Sequence, residues 1–279
     1  MAIDINKIKQ RYSSLQKQTK RQDSFWKPAS GKSVIRIVPY KYNKDNPFIE
    51  LLFHYEIGGK SYLSPKTFGR PDPFSEFSEK LKQSGSKDDY KLAKDLTPKL
   101  RTFVPVVVRG EEDKGIRFWG FGKTVYQELL GIIADPEYGD ITDETSGSDI
   151  TVEFRTAAEA GKSFPTTSIR VKRDRSPLVT SPEMMKKLLE DQKDILEIYK
   201  ELSYDELKDV LEKWLNPPEE ELDGAATEAP EDAEENVPSI PVVAKTVSLK
   251  QPVKSNKPLT AVTDPAEMQK KFDEIFNEK

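Results

Sequence analysis

The sequence predicts a mainly β chain with helices (α+β): an OB-type barrel core with helical embellishments, a basic N-terminal arm and a disordered acidic C-terminal tail. Three observations carry that expectation. Short alternating segments bounded by Gly, Pro and Asp turns dominate residues 23–178. One helical pattern interrupts them, Lys123 to Ala134, with Val125, Leu129, Leu130 and Ile133 on one face. Charge divides the chain: residues 1–178 carry 31 Lys and Arg against 24 Asp and Glu, or +7, whereas residues 179–279 carry 13 against 24, or −11.

In chain order, residues 1–22 hold six bases and one acid around a sparse apolar stripe of Ile5, Ile8, Tyr12 and Leu15, which reads as a mobile or helical arm. Residues 23–178 form the core, with strands expected at Ser33 to Pro39, Phe48 to Glu56, Lys60 to Leu63, Thr102 to Arg109, Gly115 to Phe121, Asp149 to Arg155 and Thr166 to Arg173. Residues 179–216 read as a helical pair packed on the core. Ser181-Pro182-Glu183 supplies a cap, a proline at the first helical position and an early acid, and Ser203 to Glu206 is a capping box. Residues 217–262 are a disordered acidic and Pro-rich linker, whose stretch from Glu219 to Glu235 holds nine acids and no base. Residues 263–279 regain a helical pattern as an acidic amphipathic tail, with Met268, Phe272, Ile275 and Phe276 on one stripe.

Composition removes several classes. Cysteine is absent, so there is no disulfide framework, thiolate zinc site or Cys nucleophile, and a reducing compartment fits best. No apolar run approaches the roughly 20 residues that span a bilayer, and the expected location is the cytoplasm. The charge asymmetry suggests a basic region that meets a polyanion and an acidic tail that imitates one.

Strand alternation identifies candidate binding residues, because successive side chains face opposite sides of a sheet. Ile116 and Phe118 oppose Arg117, Trp119, Phe121 and Lys123. Ile169 and Val171 oppose Arg170 and Lys172, and Ile35 and Ile37 oppose Arg36. One such strand is often an ordinary solvated face, but three with the same pattern point to a groove in which rings stack on unpaired bases and cations track phosphates. The expected contacts are Arg36, Arg101, Arg109, Arg117, Lys123, Arg170 and Lys172 on phosphates, with Tyr62, Trp119 and Phe121 on bases. Catalytic signals fail. Gly31-Lys32-Ser33, Gly122-Lys123-Thr124 and Gly161-Lys162-Ser163 lack the earlier glycine of a phosphate loop, and the acid clusters lie in expected loops. No enzyme is expected.

Val34-Ile35-Arg36-Ile37-Val38-Pro39, Pro47-Phe48, Leu51-Leu52-Phe53-His54 and the segment from Phe121-Gly122-Lys123 to Ile132-Ile133-Ala134 resemble the gene 32 single-stranded DNA-binding proteins of T-even-like phages. The resemblance implies a protein that coats single-stranded DNA cooperatively and without sequence preference during replication, recombination and repair in the bacterial host cytoplasm. It implies self-association along DNA through the arm, here Lys7, Lys9, Arg11, Ser13 and Ser14. It also implies recruitment of phage replication and recombination proteins by the tail, here Phe272, Ile275 and Phe276. The family's structural zinc uses one His and three Cys; His54 matches the histidine, but Ser64, Asp72 and Ser75 fall at the cysteine places. No metal and no cofactor is therefore expected, with Phe68, Phe74 and Phe77 packing in the metal's stead. A single-stranded RNA-binding translational regulator and a metal-dependent nuclease are the alternatives.

Overall fold

The computed structural model describes Ile5, Lys9, Arg11, Tyr12 and residues 23–199, 201–216 and 265–277. Lys7, Ser13, Ser14 and the 217–262 linker lie outside the described residues. Two compact units emerge, one of residues 1–51 and 100–200 and the other of residues 52–99 and 201–279. The stretches 23–178 and 179–216 are therefore each shared between the units.

The strands are β1 (Phe25–Trp26), β2 (Gly31–Ile37), β3 (Ile49–Ile57), β4 (Lys60–Leu63), β5 (Lys99–Val108), β6 (Arg117–Phe121), β7 (Gly147–Arg155) and β8 (Thr166–Ser176). The helices are α1 (Pro73–Gln83), α2 (Lys87–Leu96), α3 (Lys123–Ala134), α4 (Ala157–Ala160), α5 (Pro182–Glu190), α6 (Ile195–Ile198), α7 (Tyr204–Leu215) and α8 (Pro265–Phe276). Mixed α and β content is as expected, and α3 occupies the expected span.

In the first unit six strands run in the order β1-β6-β5-β2-β7-β8. β1 pairs with β6 in parallel, and the other neighbours are antiparallel. The sheet is open rather than the closed barrel that the strand pattern suggested. β1 is two residues long and pairs with β6, while the tail of β8 carries the exposed cations Arg173 and Arg175, charges of the kind that keep an edge from pairing further. Ile35, Ile37, Val104, Val106, Ile150, Val152 and Ile169 turn one face inward onto Val125 and Leu129 of α3.

The opposite face of β2 is also closed, and what closes it is ionic. Arg36 is fully buried and meets the Asp149 carboxylate at 2.9 Å, while its other nitrogens donate to the Ser176 carbonyl at 2.9 Å and the Ser176 hydroxyl at 2.8 Å. Arg109 reaches the same carboxylate at 2.9 to 3.1 Å and adds the Pro177 and Leu178 carbonyls. Burial disfavours the Arg36 charge; Asp149 offsets that cost, and the like charge of Arg109 adds to it. Gly147 makes room, since a Cβ there would lie 2.9 Å from the Arg36 guanidinium.

The second unit is a β3–β4 hairpin and four helices. Gly58 and Gly59, both with positive φ, make the turn, as a two-residue hairpin loop demands. Asp72, Ser86 and Ser203 cap α1, α2 and α7. α1 and α2 were not among the expected elements, although Asp72-Pro73 followed by Phe74, Phe77 and Leu81 carries a start signal and a helical period. Phe74, Phe77, Leu81, Leu207 and Leu211 are fully buried together with Met268 and Phe272 of α8. Phe272 meets Phe77 edge-on at 6.3 Å, and Lys271 pairs with the buried Asp89 at 2.7 Å. The apolar stripe expected to face partner proteins is thus seated in the chain's own second unit: Phe272 is buried, and Ile275 and Phe276 are half-buried. A 12-residue helix is marginal alone, so packing holds it.

Two stability predictions follow from these contacts. Phe272→Ala lowers the unfolding free energy of the second unit by about 3–5 kcal/mol in denaturant titration, because it empties a fully packed aromatic site. Arg36→Ala costs about 3–5 kcal/mol by leaving the Asp149 and Ser176 acceptors short of a donor, whereas Lys172→Ala stays within about 0.5 kcal/mol of the parent.

Candidate nucleic-acid interface

The ten side chains expected to line a groove separate into three groups. Arg36, Arg117, Trp119 and Phe121 are buried. Trp119 packs edge-on against Trp26 at 5.7 Å and Phe121 at 4.7 Å inside the apolar core. On the other side of β6, Phe118 rests on Phe25 and Tyr40, so this strand is covered on both faces and offers no stacking platform. Arg117 is held by Glu111, whose carboxyl its hydrogen bond keeps below the usual range. These four are corrections: rings and cations that alternate along a strand here build the interior. Tyr62, Arg101 and Arg109 are half-buried. Tyr62 packs against the second unit's apolar cluster, Arg101 donates to the Gly120 carbonyl at 2.8 Å, and Arg109 belongs to the Asp149 network. Lys123, Arg170 and Lys172 are exposed.

Arg170 and Lys172 do not stand alone. Register places Lys32, Glu153 and Ser168 in one row across β2, β7 and β8, and Val34, Thr151 and Arg170 in the next. Ile35, Ile150, Val152 and Ile169 point the other way into the core. The outward face therefore gathers Lys32, Arg155, Arg170 and Lys172 on strands about 4.8 Å apart. Glu153 is the acid among them. Arg155 binds it at 2.6 Å and holds its carboxyl below the usual range, with Lys32 and Arg170 adding to the same effect. Beyond Arg155 the chain turns through α4, capped by Thr156 and Glu159, and brings the exposed Lys162 and Phe164 to the same end of the hairpin. A surface with a cationic floor and an uncovered ring can hold a phosphate backbone and stack a base.

Lys32, Arg155, Lys162 and Phe164 were missed by sequence reasoning. Lys32 was legible, since it lies four residues before Arg36 on the same strand face. Phe164 was not, because it sits in an irregular loop with no period to place it.

His54 is fully buried in the second unit, stacked 4.7 Å over Phe74. Its Nδ1 donates to the Leu96 carbonyl at 2.8 Å, and Nε2 shares a hydrogen bond of 2.8 Å with Asp72 Oδ2, which also accepts from the Ser64 hydroxyl. Asp72 Oδ1 takes the backbone N–H of Phe74 and Ser75. Burial works against the Asp72 charge, but the bonds from His54, Ser64 and Ser75 hold its carboxyl below the usual range. A zinc ion does not fit this donor set: Nε2 and Ser64 are aimed at a carboxylate oxygen, no thiolate is present, and no cluster of three or more His, Cys, Asp or Glu suited to a metal occurs among the described residues. Phe74 and Phe77 pack beneath as expected. Phe68 instead lies partly exposed under Arg70 at 4.9 Å.

Among curated proteins, no sequence matches the chain. No helix among the described residues is long and apolar enough to cross a membrane. The sequence profile described as gp32 DNA binding protein like matches residues 29–216, a span that contains β2, β7 and β8 with their cationic face as well as the His54 cluster. The chain belongs to the gp32-like DNA-binding protein family.

Proposed function

We propose that this protein is a non-catalytic single-stranded DNA-binding protein that coats its lattice cooperatively during phage replication, recombination and repair. The outward face of β2, β7 and β8 carries the reading: Lys32, Arg155, Arg170 and Lys172 present positive charge with little sequence-reading geometry, and Phe164 offers a ring that every base can meet. The basic arm supplies the neighbour contact. The acids of the 217–262 linker compete with DNA for the same cationic face, most strongly at low salt. Replication and recombination proteins read the tail from its outward residues, such as Glu267 and Glu274, or take α8 after it leaves its seat.

Fluorescence anisotropy of a labelled thymidine oligonucleotide, set against a duplex of equal length, tests the reading, with tight binding expected for the single strand alone. In the Arg170→Ala/Lys172→Ala variant, affinity falls about tenfold to a hundredfold, and the log-log salt slope becomes shallower by about 1.4, two contacts at about 0.7 each. Equal binding of the duplex, or an unchanged slope, would remove this face from the function.

We also propose that the His54, Asp72 and Ser64 cluster replaces a metal in holding the second unit. Prolonged treatment with a chelator leaves the thermal midpoint of the full chain unchanged, whereas Asp72→Ala lowers it sharply; a fall with chelator alone overturns the proposal.

A further inference from the structure

An open groove of about 510 Å³ runs along α5 in the first unit and is independent of the cationic sheet face. Its floor is Met185 and Leu189, one helical turn apart and supported from below by Val38, Val107 and Leu178. One wall is Glu144, the last of five acids in residues 135–144, a stretch without a single Lys or Arg. Glu190 closes the far end. An apolar floor with acidic walls suits a ligand that is both apolar and cationic.

Residues 1–22 have that chemistry: six bases, one acid and an apolar stripe at Ile5, Ile8, Tyr12 and Leu15. In the single chain both halves of such a contact are uncovered. Ile5 is 62% exposed and Tyr12 63% exposed, so this stripe is not seated in its own first unit. We propose that the groove between α5 and the 135–145 segment is the seat for the basic arm of a second copy. Ile and Tyr side chains at helical spacing press onto Met185 and Leu189, and Lys9 and Arg11 face Glu144 and Glu190. The inference rests on the cooperative reading above and names the surface through which neighbours are joined.

Charge reversal tests it without emptying the floor. The readout is the ratio of affinity for a long thymidine polymer to affinity for an oligomer that holds one copy. Glu144→Lys/Glu190→Lys and Lys9→Glu/Arg11→Glu are each expected to lower that ratio about tenfold. An equimolar mixture of the two variants is expected to recover much of it, because only a contact between copies can set a reversed arm against a reversed groove. A groove variant with the parent ratio overturns the proposal. So does a loss that the mixture fails to rescue, including the case where only the chain carrying all four changes recovers, which would mean the arm docks on its own unit. Failure of the parent to bind the short oligomer would strike the DNA-binding reading instead, and that arm of the experiment reports it separately.

Discussion

The first unit depends on one carboxylate held by two guanidinium groups. Asp149 of β7 accepts from Arg36 of β2 and from Arg109 just past β5, and Arg36 goes on to the end of β8 at Ser176. Three neighbouring strands and the segment after the fourth are thereby tied on a face that would otherwise need an apolar layer. Such a network contributes less than its Coulomb attraction suggests, because each ion must leave water. Its value is geometric: a shift of register between β2 and β7 would strand a buried charge. The pairing that places Lys32 beside Glu153, and Val34 beside Thr151 and Arg170, is held by the same constraint.

A comparable solution stands in the second unit. His54, Asp72 and Ser64 form a closed hydrogen-bonded set beneath the start of α1, where Asp72 serves twice, as cap of the helix and as partner of the imidazole. A buried polar group without partners costs about 1–3 kcal/mol, so a nearly satisfied set can anchor a helix start as a metal would. The hydroxyl of Ser75 is the remainder, buried without a partner.

The two ends of the chain are treated differently. α8 carries its apolar stripe into a seat lined by Phe77 and Leu211, and Lys271 fastens it to Asp89. The arm carries a similar stripe whose described apolar residues, Ile5 and Tyr12, remain at the surface. An amphipathic segment that is covered holds its own fold together, and one that is uncovered has surface left to offer a neighbour. The chemistry of residues 265–276 and 1–22 is alike in pattern, and their placement separates their roles.

Local rules were legible. The periods of α3 and most strands, the caps at Ser181 and Ser203, the division of charge and the loss of thiolate ligands at positions 64, 72 and 75 are properties of neighbouring residues, so the chain states them directly. Which side of a strand meets water is different. Arg36 and Arg170 occupy equivalent alternating positions, yet one is fully buried and the other exposed, because Asp149 and the turn after β8 come to lie over the first. Trp119 shares a strand face with Arg117, yet Trp26 covers it. Sequence by itself determined the elements, their caps and the sign of charge along the chain. Only tertiary structure decided which cations stay in solvent, since desolvation depends on what distant segments pack on top, and no local period records that.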